Sequence, residues 1–350
     1  MNKIAIPCGY MGSGSSAITD ILSELNSFIN LNGDFEYILM HCPDGIFDLE
    51  DKLLLGNNVI RSDEAIYRFE KRINSLYNLK NFWPGMYKKR ISADFLSITN
   101  DFIKSITDFK HEDNVYWYFQ QIPDSLSMQI KCYLERFLFS KIRNNSIKPV
   151  LKYRGMRISY VERNEFYKCA QKYLFDFFKL LGIEEHNIIL DQFLLPHNLF
   201  RINNYFDENL RVFVVDRDPR DVFILNKYYW LKSGVSVAYP LEVKQFCNYY
   251  RKMRQNEIQI EDDRICRIHF EDLIYNYRNS IKNICNFLDI SLSEHAKKFH
   301  FFNPKISINN TQMYNKDNSY KAEAKIIEDE LSEYMYNFPY QFSSEENSVF

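Results

Sequence analysis

Glycine and proline are scarce, ten of each in 350 residues. A sandwich or barrel of short strands calls for a turn signal every ~8–12 positions, so so few turn residues argue against one. The 25 tyrosines and 29 phenylalanines point instead to a compact, partly helical body. Net charge is nearly absent as well. Lys+Arg 44 against Asp+Glu 46 leaves −2, so bulk positive charge cannot drive binding to nucleic acid or to an anionic membrane, and any anion site must be local. No run approaches the ~18 apolar residues of a membrane helix, which excludes an integral membrane protein of that kind. The opening MNKIAIPCGYMG lacks the apolar stretch and cleavage site of a signal peptide.

Cysteine occurs seven times, always singly (Cys8, Cys42, Cys132, Cys169, Cys247, Cys266, Cys285). The lack of a CxxC pair argues against a zinc site and a disulfide framework, and reduced, mostly core thiols are expected. HxxxH, HExxH and DxDxDG runs are missing too, so no metal is expected. A cytoplasmic enzyme of one domain or two is the default.

What is present is an alternation of apolar runs and helical periods. Lys3 to Cys8 (KIAIPC) reads as a strand. The cluster Gly9-Tyr10-Met11-Gly12-Ser13-Gly14-Ser15-Ser16 follows it as a loop, and AITDILSEL as a helix. Phe35 to Met40 (FEYILM) is expected as a second strand, ending at the turn His41-Cys42-Pro43-Asp44-Gly45. From about 49 to 145 the periods are helical with few strand signals, as in a large helical insertion. Lys148 to Tyr153 (KPVLKY) is expected as a further strand, then a helix ending at Gly182. Strands are expected again at Asn187 to Asp191, Arg211 to Asp216 and Arg264 to Phe270, before an amphipathic helix, RNSIKNICNFLDI. Apolar strands alternating with helices predict an α/β fold with a central parallel sheet covered on both faces. The final QFSSEENSVF has a frayed composition.

Two sites carry chemistry. A glycine and serine loop between a parallel strand and a helix aims backbone N–H groups at one point, where the helix dipole favours an anion such as phosphate. After Gly14 comes Ser15 rather than lysine, so the loop is not the Gly-x-x-x-x-Gly-Lys-[Ser/Thr] form that binds nucleoside triphosphates. The plainer alternative is a tight turn capped by Ser13 or Ser15. The second site is Val214-Val215-Asp216-Arg217-Asp218-Pro219-Arg220-Asp221-Val222. There a buried strand ends in an arginine at the sheet edge where open α/β folds bind ligands, unless the arginine belongs only to a salt-bridge network.

Taken together, the first strand, the GxxxSGSS-like loop and the VVDRDPRDV strand end resemble the sulfotransferase superfamily, in particular its bacterial carbohydrate members. Ile268-His269-Phe270-Glu271-Asp272-Leu273, followed by Asn286-Phe287-Leu288, is similar to the family's YEDL…FL element. The resemblance implies a P-loop-like three-layer fold, a single domain over 1–350 with the insertion on the acceptor side, and 3′-phosphoadenosine 5′-phosphosulfate as donor. It places the 5′-phosphosulfate on Gly12, Ser13, Gly14, Ser15 and Ser16, and the 3′-phosphate on Arg217. The chain departs from the family pattern twice. Gly12 stands where many members carry a lysine or arginine, leaving Lys152 or Arg154 as candidate replacements. Leu225 stands where a serine commonly shares the 3′-phosphate, with Asn226 beside it as the substitute.

Sulfonate transfer needs in-line attack, a base and fixed positive charge on the leaving phosphate. By resemblance to carbohydrate members the base is Glu36, with His41, whose imidazole titrates near neutrality, as the second candidate. Lys305 to Tyr314 resembles the loop that closes over the 3′-phosphate, and the aromatics Val115 to Phe119 suit either a sugar or sterol surface or a core. The implied acceptor is a hydroxyl of a glycan or glycolipid precursor, or alternatively of a sterol or other small alcohol. A P-loop-like small-molecule kinase and an inactive nucleotide-binding protein are the readings of other classes.

Overall fold

A run of six buried residues, Ile4–Gly9 (β1), forms the middle of the sheet, because only a strand covered on both faces is apolar at every position. The computed structural model describes residues 2–33, 35–79, 84–115, 125–148, 150–151, 154–235 and 239–341. After β1 come α1 (Ser16–Ser23), the two-residue β2 (Phe28–Ile29), α2 (Ile46–Leu54), α3 (Val59–Asn78), α4 (Tyr87–Arg90), α5 (Phe95–Ser105) and β3 (Phe109–Val115). Next are α6 (Leu126–Phe137), α7 (Phe139–Arg143), β4 (Arg154–Ile158), α8 (Arg163–Leu180), β5 (Asn187–Ile189) and α9 (Ile202–Tyr205). β6 (Leu210–Asp216), α10 (Pro219–Ile224), α11 (Val243–Gln255), β7 (Ile265–His269), α12 (Asp272–Tyr275), α13 (Tyr277–Phe287), α14 (Pro304–Ser307) and α15 (Asn318–Glu330) complete the order.

Five strands form a parallel sheet in the order β2-β5-β1-β6-β7. Its two faces follow from the period of two along each strand. Ile4, Ile6, Cys8, Leu210, Val212 and Val214 face one core, shared with Phe69, Phe102, Phe166 and Phe177 of the surrounding helices. Ala5, Ile189, Phe213 and Val215 face the other, under Ile18, Ile21 and Leu22 of α1 and Ile281 and Ile284 of α13. A third core joins α10, α11 and α15. This is the expected α/β fold with its central parallel sheet covered on both sides.

The structure corrects two expected strands. Phe35 to Met40 is not a strand: it runs irregularly into a turn, with Tyr37 N donating to Asp191 O, just past the end of β5, at 2.9 Å. β2, pairing Phe28 with Asn187 and Ile29 with Ile188, already occupies that edge of β5. The alternating hydrophobicity of Phe35, Tyr37 and Leu39 reflects burial beyond the strand end. Of the expected strand Lys148 to Tyr153, residues 149, 152 and 153 lie outside the described residues, and the rest are not part of the central sheet. Residues 148, 150 and 151 lie outside any strand, and the strand begins at Arg154 as β4, antiparallel to β3 in a separate two-stranded sheet. β3 (FKHEDNV) escaped the sequence reading because its charged residues lack the apolar alternation of a half-buried strand.

Far from the sheet edge that concerns function, Glu24 at the end of α1 ties down the chain that follows α13. Its buried carboxylate lies 2.6 Å from His295 Nε2 and accepts from the N–H groups of Phe301 (2.9 Å) and Phe302 (3.0 Å). Glu24→Gln turns one acceptor into a donor facing these groups, and is expected to lower the unfolding free energy by about 1–3 kcal/mol in urea melts. No loss would mean the segment is held by its apolar contacts alone.

Candidate active site

The loop after β1 lies where the sheet order reverses, because the chain places β2 and β5 on one side of β1 and β6 and β7 on the other. Ligands of open α/β sheets bind at that point. Gly12 and Gly14 both adopt φ +84°, and a Cβ on Gly14 would come within 2.7 Å of the Phe270 ring. The loop is therefore packed tightly against the strand ends. Ser13 N bonds back to Tyr10 O at 2.8 Å, and the N–H groups of Gly12, Gly14 and Ser15 have no acceptor among the described residues. Ser15 occupies the N-cap position of α1 without a side-chain cap, its hydroxyl accepting instead from Gln192 Nε2 at 2.8 Å. Ser13 is buried, with its hydroxyl turned over Gly9 and unpartnered. Ser16 opens α1. A turn merely capped by Ser13 or Ser15 would spend a serine hydroxyl on the helix end, and neither does so.

Arg217 follows β6 and is buried directly behind the loop. Its Nη1 donates to Gly12 O at 2.9 Å and its Nη2 to Asn310 O at 2.5 Å, with the guanidinium 4.9 Å from the Phe270 ring centroid. Its Nε–H is buried and unpartnered. Burial pushes the Arg217 pKa down, while Asp221, Glu271 and Asp218 oppose the shift. These carboxylates form a buried set. Asp218 holds Arg220 through Nε (2.9 Å) and Nη2 (2.7 Å). Asp221 accepts from Gln312 N (2.8 Å) and Met313 N (2.7 Å), and Glu271 accepts from Asp218 N (2.9 Å). Burial, then Asp218, pushes Asp221 up, and the same two causes push Glu271 up to about 8.

Asn226 also reaches the loop. It lies in a π-helical turn, Leu225–Trp230, a rare geometry that occurs frequently at functional sites. Its Nδ2 donates to Val222 O at 2.8 Å and stands 3.0 Å from where a Cβ on Gly12 would be, so a side chain at position 12 would crowd it. Its Oδ1 is unpartnered.

The segment from Lys305 to Tyr314 packs onto Arg217 and Asp221 through Asn310, Gln312 and Met313 rather than lying on the surface as an ordinary loop. Just beyond it, the Lys316 ammonium is buried without a hydrogen-bond partner, 5.7 Å from the Tyr229 ring centroid. Burial lowers its pKa, against the attraction of Asp221. Lys316 was not among the replacements sought for the cation absent at Gly12. Of those, Lys152 and the side chain of Arg154 lie outside the described residues, and β4, which Arg154 opens, belongs to the separate small sheet.

Glu36 and His41 both come to the β5 side of the loop. Glu36 is half-buried, and burial raises its pKa. Near it, Asp191 follows β5, with burial first and then Glu36 pushing its carboxyl up to about 7. His41 Nε2 lies 2.8 Å from Gln192 O. A carbonyl only accepts, so that nitrogen carries a proton and cannot take one from an acceptor. Burial lowers the His41 pKa, against its bond to Gln192. Gln192, at φ +55°, thus joins the loop to His41. Sequence reading passed over Asp191 and Gln192. The available signal was NIILD itself, an apolar strand ending in a carboxylate beside β1, by the same rule that drew attention to Arg217. The aromatics 116–119 and the terminal residues 342–350 lie outside the described residues.

The raised Asp191 predicts a pH dependence. A carboxyl whose folded pKa is about 7, against ~3.9 unfolded, favours the fold fully below pH ~4 and loses that contribution as pH rises through 7. Asp191→Asn is expected to melt on the order of a few degrees higher than the parent at pH 8 and to match it near pH 4. Equal offsets at both values would show that Asp191 ionises normally.

A glycine and serine loop at a sheet switch point, with N–H groups that find no acceptor among the described residues and a buried arginine behind it, is an arrangement that can take a phosphate-bearing ligand. Residues 153–294 match the model described as the sulfotransferase family, a stretch that includes Arg217 and Asn226. By structure it is similar to the sulfotransferase domain from the curacin biosynthetic pathway, at 16% identity over 97% of this chain and 99% of that one, with a TM-score of 0.38. Likewise it aligns with the sulfotransferase domain of the Synechococcus PCC 7002 olefin synthase, at 12% identity over 96% and 94%, with a TM-score of 0.40. A third likeness is to sulfotransferase STF9 from Mycobacterium avium, at 12% identity over 95% and 76%, with a TM-score of 0.37. No curated protein matches the chain.

Proposed function

We propose that the protein transfers a sulfonate group from 3′-phosphoadenosine 5′-phosphosulfate to a hydroxyl of a glycan or glycolipid precursor by in-line displacement. The observation that supports this most is the convergence at one sheet edge of a loop with unpartnered N–H groups and a buried arginine holding that loop's Gly12 carbonyl. In this reading the loop Gly12 to Ser16 and the start of α1 hold the 5′-phosphosulfate. Arg217 holds the 3′-phosphate, with Asn226 beside it. The orphaned Arg217 Nε, Asn226 Oδ1 and Lys316 Nζ are the kind of buried polar atoms that a charged ligand satisfies. Lys316 then supplies the cation that Gly12 does not.

The acceptor oxygen attacks sulfur as the bond from sulfur to the 5′-phosphate oxygen breaks, and the acceptor proton passes to Glu36. The loop N–H groups and the α1 dipole stabilise the charge that develops on the leaving phosphate. Burial that raises Glu36 makes it a better base near neutrality than an exposed carboxylate. The helices and strand between β2 and β4 form the acceptor side.

Calorimetric titration with 3′-phosphoadenosine 5′-phosphate, beside adenosine 5′-phosphate and ATP with magnesium, tests the donor. Micromolar binding that depends on the 3′-phosphate is expected, and a preference for ATP overturns the reading. Sulfonate transfer to sterols but not to any glycan hydroxyl would move the acceptor to the small alcohols.

A further inference from the structure

We propose that residues 125–148, which hold α6 and α7, form a docking surface for an anionic lipid bilayer. Leu126, Ile130, Tyr133, Leu134 and Phe137 of α6 are 40% to 75% exposed. At ~100° per residue they share one stripe of about 100° of arc, the width that a surface helix normally buries. Phe139, which opens α7, extends the patch at 61% exposed. Six large apolar side chains in one place exceed what scattered surface residues explain. The inner side of the helix is fixed differently: Glu135 is buried and accepts from Val150 N at 2.7 Å and Leu151 N at 3.2 Å. That bond anchors α6 with its apolar stripe facing outward.

Charge selects the partner. The segment carries Lys131, Arg136, Lys141, Arg143 and Lys148 against Glu135 alone, in a chain whose net charge is −2. None of these five cations has a carboxylate partner among the described residues, and Lys131 and Arg136 fall on either flank of the stripe. An apolar stripe bordered by unpaired cations fits the boundary of an anionic bilayer, where acyl chains take the apolar side chains and phosphate headgroups take the cations. Two copies of this chain paired through the same face would bring two sets of like charges together, so a second copy fits less well. Among the described residues no helix is long and apolar enough to cross a membrane. The contact is therefore one of lying on the surface, and it does not depend on how the sulfonate site works.

Flotation of the full chain with phosphatidylcholine vesicles containing about a third phosphatidylglycerol, and with pure phosphatidylcholine vesicles, tests this. The protein should float with the anionic vesicles only and be released by high salt. Two variants, Ile130→Glu with Phe137→Glu, and Lys131→Gln with Arg136→Gln and Lys141→Gln, should each bind at least about tenfold more weakly. All five positions are exposed, so circular dichroism and melting temperature should match the parent, and if the apolar variant fails to fold the charge variant decides. No association with anionic vesicles, association that both folded variants retain, or a dimer in sedimentation that Ile130→Glu with Phe137→Glu splits while vesicles bind nothing would each overturn the proposal.

Discussion

Arg217→Ala is expected to weaken binding of 3′-phosphoadenosine 5′-phosphate by roughly 2–5 kcal/mol, about thirtyfold to several thousandfold, as when one partner of a desolvated charge pair is removed. The size follows from where the guanidinium sits. It is buried behind the loop, with one donor on Gly12 O, one on Asn310 O and Nε–H left over, so water cannot replace it at low cost. The same bonds give Arg217 a structural share, because it ties the β1–α1 loop to the segment after α14. Parallel titration with adenosine 5′-phosphate separates the two roles. A loss confined to the 3′-phosphorylated nucleotide is a lost phosphate contact; an equal loss for both is a collapsed loop. Unchanged affinity for the 3′-phosphorylated nucleotide removes Arg217 from the donor site.

Glu36→Gln should leave donor affinity intact and lower turnover on the order of a hundredfold or more, the range for removing a positioned general base. The pH profile provides an independent readout. Burial raises the Glu36 carboxyl, and a base must be ionised to act, so activity in the parent should rise with pH along a limb lying above the ordinary carboxylate range. The limb should vanish in the variant. Asp191 raises the stakes of that measurement, since two carboxyls near each other titrate as a pair and the limb belongs to both. If turnover survives the substitution, the base is His41, which would have to give up its bond to Gln192 O to accept a proton at Nε2.

The interior strands were readable because the physics that forms them is local. KIAIPC and RVFVVD are apolar at nearly every position, as strands covered on both faces must be, and each ends in residues that turn the chain at the sheet edge. The loop from Gly9 to Ser16 was readable for the same reason: its glycines and serines state a backbone need regardless of what lies around them. Phe35 to Met40 misled because alternation reports burial, and burial beyond the end of β5 looks the same in sequence as burial within a strand. β3 was missed for the opposite reason, since its pairing with β4 is made by backbone groups and FKHEDNV carries no apolar alternation to announce it.

The sequence by itself determined the alternation of apolar strands and helices, the glycine and serine loop and an arginine at a strand end, because each is set by neighbours along the chain. Only the tertiary structure decided which strands flank β1. That choice places Arg217 on Gly12, Asn226 against the loop, Gln192 between Ser15 and His41, and Asp191 near Glu36. These contacts join residues 151 or more positions apart, and their energies depend on what each group finds once water is excluded. The buried ammonium of Lys316 is the plainest case: in sequence it is one lysine among many, and in the fold it is an unpaired cation near the buried Asp221, with nothing along the chain to announce it.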